Sequence, residues 1–182
     1  LAGAVGFGGM FAVYSYIAPT LTEVGGLKES AVPWFLFAFG LGMTFGTWWA
    51  GRLADWSVFG SLLGSSLATA VVLALFALSA PGGWLALPAI FGITTFGSVL
   101  VVNLQLRLMD VAGDAQALGA AMNHASLNVA NALGAWLGGV VIAAGMGYRA
   151  PAVVGIALAL SGFAVLLVSF ALKRRGAPPQ AA

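Results

Sequence analysis

The sequence predicts an all-α integral membrane protein, a bundle of six transmembrane helices. Three observations carry this. First, 61% of the 182 residues are hydrophobic and only 7% are charged, against about 25% charged in a usual soluble domain. There is too little polar side chain to cover a surface facing water, so lipid must solvate the outside. Second, the apolar residues fall into six runs, each near the roughly 20 residues that cross about 30 Å of hydrocarbon. Third, the runs are uniformly apolar, whereas barrel strands alternate over about ten residues. Outside a barrel, a backbone in lipid must be helical to satisfy its own hydrogen bonds.

The first run extends from Ala2 to about Leu21, and Pro19 is expected to kink it near its outer end. A polar loop from Thr22 to Ser30 follows, with Glu23, Lys28 and Glu29. The second run, Val32 to Ala50, ends at the loop Gly51-Arg52-Leu53-Ala54-Asp55. The third, Val58 to Ser79, stops at Ala80-Pro81-Gly82-Gly83. The fourth runs from Trp84 to about Leu106, before a polar connector holding Arg107, Asp110 and Asp114. Asp114 is placed to cap the fifth helix, Gln116 to Ala144, by accepting first-turn N–H groups. Gly145 to Arg149 breaks the chain, and Pro151 suits the first turn of the sixth helix, which reaches Leu172. One transmembrane domain over 1–175 and a disordered cytoplasmic tail over 176–182 are expected. The chain begins Leu1-Ala2-Gly3, without Met and already inside an apolar run, so the expectation is of sequence upstream.

With six spans the loops alternate sides. Arg52, Arg107, Lys173, Arg174 and Arg175 fall on one side, and Lys28 and Arg149 on the other. The positive-inside rule then puts the C-terminus in the cytoplasm. Trp34, Trp56, Trp84 and Tyr148 stand near helix ends, where interfacial aromatics belong. The seven basic residues sit between apolar runs and do not suggest nucleic acid. Cysteine is absent, so no disulfide or thiol chemistry is expected, and no metal or cofactor is called for. The 26 glycines imply close helix contacts, with Gly42/Gly46, Gly60/Gly64 and Gly134/Gly138 at the spacing that lets backbones approach.

The fifth run carries the most chemistry. His124, Asn128, Asn131, Ala135 and Gly138 are four, three, four and three apart, within roughly 40° of one line at 100° per residue. Such polar groups cost about a few kcal/mol each against lipid without partners, so the stripe must meet other helices or a wet cavity. Imidazole ordinarily titrates near neutral pH, which makes His124 the candidate for proton exchange; a histidine bonding two helices together is the alternative. Asn128 and Asn131 line a cavity or join helices. On the first helix Phe7, Phe11 and Tyr14 share a face, either an aromatic wall for a ligand or core packing. On the fourth, Thr94, Ser98 and Gln105 align as a second, weaker polar stripe.

Gly51-Arg52-Leu53-Ala54-Asp55 resembles the cytoplasmic Gly-x-x-x-Asp motif of major facilitator superfamily transporters. Tyr14-Ser15-Tyr16-Ile17-Ala18-Pro19, Leu104-Gln105-Leu106-Arg107 and the stretch from Asn123-His124 to Gly138-Gly139 are similar to the drug:proton antiporter branch with its sugar-efflux and chloramphenicol exporters. The resemblance covers nearly the whole chain as helices seven to twelve, one half of a major facilitator fold. It implies a proton-coupled efflux transporter of the bacterial inner membrane, exporting a small hydrophobic or sugar-like compound by alternating access. Its implied partners are protons, a small-molecule substrate, the lipid bilayer and the N-terminal six-helix half of the same transporter. It also implies that Gly51, Arg52 and Asp55 form a conformational gate, in which Asp55 meets the N-terminus of the fifth helix near residues 114–119 and holds the cytoplasmic side shut. Trp56 and Phe59 depart from the pattern, standing where relatives often carry basic residues.

Two other function classes remain open. A non-transporting structural or assembly subunit would share the composition. An intramembrane serine protease would need a serine in a Gly-x-Ser-Gly context, and Ala159-Leu160-Ser161-Gly162 lacks the first glycine.

Overall fold

A computed structural model describes residues 2–176. All regular structure in them is helical. The chain opens with α1 (Ala2–Gly6), α2 (Gly8–Ser15) and α3 (Ile17–Pro19), continued by a π turn at Thr20–Val24. The path bends by 57° between Ser15 and Ile17. Pro19 has no N–H for the Ser15 carbonyl and its ring crowds that carbonyl, so the break falls one turn earlier, at Tyr16 (φ −119°, ψ 19°). The bent end is tied down: the Tyr16 hydroxyl donates to the Ala135 carbonyl at 2.7 Å, and the Thr20 hydroxyl to the Tyr148 carbonyl at 2.9 Å.

A short 3₁₀ turn leads into α4 (Val32–Ser79), whose 48 residues contain one non-helical position, Ser57 (φ −169°, ψ 108°). The loop expected at Gly51 to Asp55 is therefore corrected: those residues are helical, and the break lies two residues beyond Asp55. A lone glycine without proline does not stop a helix, whereas Ser57 can start one. Its Oγ accepts the N–H of Gly60 at 3.0 Å, the geometry of an N-cap. The Ser61 hydroxyl reaches back across the break to the Leu53 carbonyl at 2.8 Å.

Contacts with α5 (Leu87–Ala112) give the direction of each arm of α4. Along the first arm, Gly42 lies against Phe91 and Thr94, Gly46 against Thr95 and Ser98, and Ala50 accepts from Asn103 Nδ2 at 3.5 Å. Those positions rise together, so the first arm is parallel to α5. Along the second arm, Gly60 to Ser65 neighbour Phe96 and Val99, while Val72 covers Gly92. That order is reversed, so the second arm is antiparallel and α4 is a hairpin folded at Ser57.

The 3₁₀ stretch Ala80–Ala86 turns at Gly83 (φ 59°) and delivers the chain to α5. α5 runs six residues past its expected end, so Arg107 and Asp110 belong to its last two turns, and Gly113 (φ 54°) stops it. α6 (Gln116–Ala143) starts as expected, but no side chain caps it; Asp114 sits one position too early, in the 3₁₀ turn Gly113–Ala115. Gly145 (φ 80°) and Gly147 (φ 74°) make the turn into α7 (Ala150–Gly176). Gly176 thus closes a helix, and the rest of the expected tail lies outside the described residues.

Packing rests on glycine. Gly8 meets Gly134, Gly9 meets Gly155 and Gly6 meets Gly162, wedging α1 and α2 between α6 and α7. In lipid, apolar side chains gain nothing by leaving solvent, so this backbone proximity and its dispersion contacts hold the helices. Gly42/Gly46 and Gly134/Gly138 pack as the spacing predicts. Gly60/Gly64 do not: a Cβ on Gly64 meets nothing within 4 Å. Two buried clusters fill the interior, one around Phe35, Leu73, Phe76 and Ile93, the other around Phe7, Leu62, Leu100 and Leu166. The outside carries exposed Trp34, Trp48, Leu78, Leu85, Trp136 and Val168, more apolar surface than a water-soluble monomer leaves open. With Glu29–Ala143 and Ala150–Leu172 apolar and long enough to cross a bilayer, this is an all-helical membrane protein.

Candidate functional site

His124, Asn128 and Asn131 of the α6 stripe face outward, whereas Gly138 at its end is buried. Gly134 lies on the Gly8 carbonyl and Gly138 on the Tyr16 ring, so the small-residue side of α6 turns inward with Asn123 and Ala130. His124 is one residue, 100°, past buried Asn123, and it is exposed together with Asn128 and Asn131. None of the three hydrogen-bonds to another described residue. Their expected role in joining helices falls instead to Asn123, which has no exposure and whose Nδ2 donates to Gln105 Oε1 at 3.4 Å. Asn123 stood off the stripe that directed attention to its neighbours; its adjacency to Gln105 depends on how α5 and α6 cross.

Around the corner, Tyr14 is 46% exposed at the seam between α2 and the first arm of α4, its ring 4.9 Å from that of Phe39. Phe11 beside it is half-buried, while Phe7, expected on the same face, is in the core. Thr94 and Ser98 are corrected: both are buried where α5 packs on Gly42 and Gly46, and Thr94 returns its hydroxyl to the Ile90 and Phe91 carbonyls. They form a packing seam rather than an open wall. A stripe not singled out in the sequence takes their place. Gly40, Thr44, Thr47 and Gly51 are exposed on the first arm of α4, within about 60° of one another at 100° per residue. They lie nearly opposite the packed face of Phe35, Ala38, Gly42 and Gly46. The four-three-four spacing was visible, but the aromatic residues between masked it.

At the far end of the α4 hairpin stand the residues expected to form a gate. Gly51, Arg52 and Asp55 are all exposed on the last turns of the first arm. The Arg52 guanidinium lies 4.0 Å above the Trp48 ring. Asp55 opens on a cavity of about 580 Å³ shared with Val58, Phe59, Arg107 and Asp110. Arg107 pairs with Asp110 at 2.7 Å and stands 5.7 Å over Phe59. The implied contact between Asp55 and residues 114–119 is not formed. The extended α5 puts Arg107 and Asp110 on that cavity instead. Among the described residues no group of three or more His, Asp or Glu side chains converges as a metal site.

An outward row of imidazole and carboxamides, a second row of glycine and threonine, and a tyrosine between two helices can bind a polarised small molecule once covered. The chain is 36% identical over 177 residues to "Inner membrane transport protein YdhP" of Escherichia coli O157:H7, covering 96% of this chain and 44% of that protein. It is 30% identical over 140 residues to "Uncharacterized MFS-type transporter YfhI" of Bacillus subtilis, covering 76% of this chain and 35% of that one. It is 32% identical over 150 residues to "Probable sugar efflux transporter" of Helicobacter pylori, covering 77% and 36%. The chain belongs to the major facilitator superfamily. It spans less than half the length of these curated relatives. No family model and no solved structure matches it.

Proposed function

We propose that the chain is the C-terminal six-helix half of a secondary active transporter in the bacterial inner membrane, exporting a small hydrophobic or sugar-like compound in exchange for protons. The six spans are α1–α3 with the π turn, the two arms of α4, and α5, α6 and α7. One observation carries the reading: His124, Asn128 and Asn131 are exposed on α6 with no partner among the described residues. Lipid is a costly neighbour for such groups, and so a polar passage must cover them. The N-terminal half is the occupant that the relatives' greater length supports, and the Gly40/Thr44/Thr47 face of α4 gives it a second surface.

In this account the substrate sits between the halves, against Tyr14, Phe11, Asn128 and Asn131. His124 exchanges protons with whichever side is open. Rocking of one half against the other alternates access. Asp55, beside Arg107 and Asp110 at the cytoplasmic end, biases the closed arrangement, with the C-terminus on the same side. The H. pylori relative named as a sugar efflux transporter supports the direction and the substrate class.

The test uses the absence of cysteine from this chain. With any cysteines of the complete reading frame replaced, cysteine at position 128 should react with a membrane-impermeant maleimide and be protected by transported compound. Cysteine at position 129, on the neighbouring exposed apolar face, should not react. Equal silence at both positions would place the stripe in lipid and refute the proposal.

A further inference from the structure

The first span is broken where a hinge would be. Its helix stops at Ser15 and resumes at Ile17 after a bend of 57°, and Pro19 leaves the Ser15 carbonyl without its helical donor. Left to itself, the arm Ile17–Val24 would swing about Tyr16. We infer that the turn between α6 and α7, residues 145–149, is a clasp that ties this arm to the end of α4. The bend is then a rigid elbow, and at the end of the bundle opposite Ser57 the first span, α4 and the α6–α7 turn move as one piece.

Gly145 and Gly147, both at positive φ, fold the turn tightly, and its adjacent residues reach different partners. The Tyr148 carbonyl accepts from the buried Thr20 hydroxyl at 2.9 Å. The Arg149 guanidinium donates from Nε and Nη2 to the Ala77 carbonyl, at 3.1 and 2.8 Å. That carbonyl needs a donor from outside its helix, because four residues on stands Pro81, which has no N–H. It also lies at the negative end of the helix dipole, where a cation is favoured. A hydrogen bond from a charged donor is roughly twice as strong as a neutral one. The arm and the end of α4 meet directly as well. A Cβ on Gly83 would lie 2.9 Å from the Gly25 carbonyl, and one on Gly25 would lie 3.1 Å from the Ala80 carbonyl. The three ends form a closed ring. Swinging the arm about Tyr16 has to part Thr20 from Tyr148 and drag Gly25 off Gly83, and Tyr16 itself is held to the Ala135 carbonyl. The ring follows from these contacts alone and holds whether or not the chain transports protons.

Amide hydrogen exchange of the complete protein in detergent, read by mass spectrometry, separates a clasp from two unrelated local contacts. Arg149→Met keeps the length of the stem and removes the donors. It should speed exchange about tenfold or more, the scale of a lost hydrogen bond to a charged group, at residues 77–86 and equally at residues 17–27, which Arg149 does not touch. Thr20→Val keeps the shape and removes the hydroxyl. It should speed the same two segments together, by a smaller factor of about fivefold. The interior of α5, residues 92–104, should not change in either variant. Faster exchange confined to residues 77–86 in Arg149→Met, and to residues 17–27 in Thr20→Val, would make each contact a local cap and overturn the clasp. So would two variants that exchange as the wild type does, or an acceleration that spreads equally into α5.

Discussion

Replacing Gly162 by alanine tests the packing scheme with a magnitude set by distances. A Cβ at Gly162 would lie 2.5 Å from the Gly6 Cα and 2.9 Å from the Gly6 nitrogen, against an ordinary contact of 3.4 Å or more. The shortfall, 3.4 − 2.5 = 0.9 Å, falls on backbone in both helices, and no rotamer can relieve it. α1 must therefore move off α7 by roughly that distance. Gly64→Ala is the matched control, since its Cβ meets nothing within 4 Å. Both changes gain the same helix propensity, about 1 kcal/mol, so their difference isolates the packing cost. Overpacking a tight contact costs about 1–3 kcal/mol. For a chain of this size that separates the two midpoints by about 2–12 °C. The assay is a thermal scan of tryptophan fluorescence in detergent, read from the six native tryptophans. Gly64→Ala should match or exceed the wild type, and Gly162→Ala should fall below it. A Gly162→Ala midpoint equal to that of the control would refute the close α1–α7 contact.

Ser57→Ala removes the oxygen that accepts the Gly60 N–H and should cost about 1 kcal/mol in the same scan; Ser57→Asp should restore most of it, and equal losses for both would reject the cap. Asp55→Asn should raise labelling of a cysteine placed in the cytoplasmic cavity of the complete, otherwise cysteine-free protein, because it removes a charge from the Arg107–Asp110 cavity; unchanged labelling would remove Asp55 from the gate. His124→Ala should slow pH-gradient-driven transport by about a hundredfold or more, the lower end of what a positioned proton-transfer group contributes, while substrate binding survives; a rate within about twofold of wild type would leave the proton path without His124.

What the sequence made legible was what a single helix decides for itself. The apolar helical runs, the glycine turns near Gly83 and Gly145, and the line of His124, Asn128 and Asn131 on α6 all follow from local periodicity and punctuation. The misplaced features are those settled between helices. Gly51 to Asp55 looked like a loop because charges interrupted an apolar run, yet an N-cap serine, not polarity, decides where the helix restarts. Thr94 and Ser98 looked like cavity residues because polarity was read without the partner; two glycines on α4 draw that face of α5 inward. Asn123 was passed over because its role comes from Gln105, eighteen residues earlier. Conversely, the glycines at 6, 9, 155 and 162 lack the four-residue spacing within one helix, and only the crossing of helices pairs them.

The measurement closest to the central claim is proton movement in inverted membrane vesicles from cells expressing the complete reading frame. An acidic interior is imposed, and candidate drugs and sugars are added one at a time. Proton release on adding a compound, abolished by an uncoupler and lost in His124→Ala, is the predicted result and would name the substrate class. Folded protein in the same vesicles that releases no protons with any compound would contradict the account of proton-coupled export.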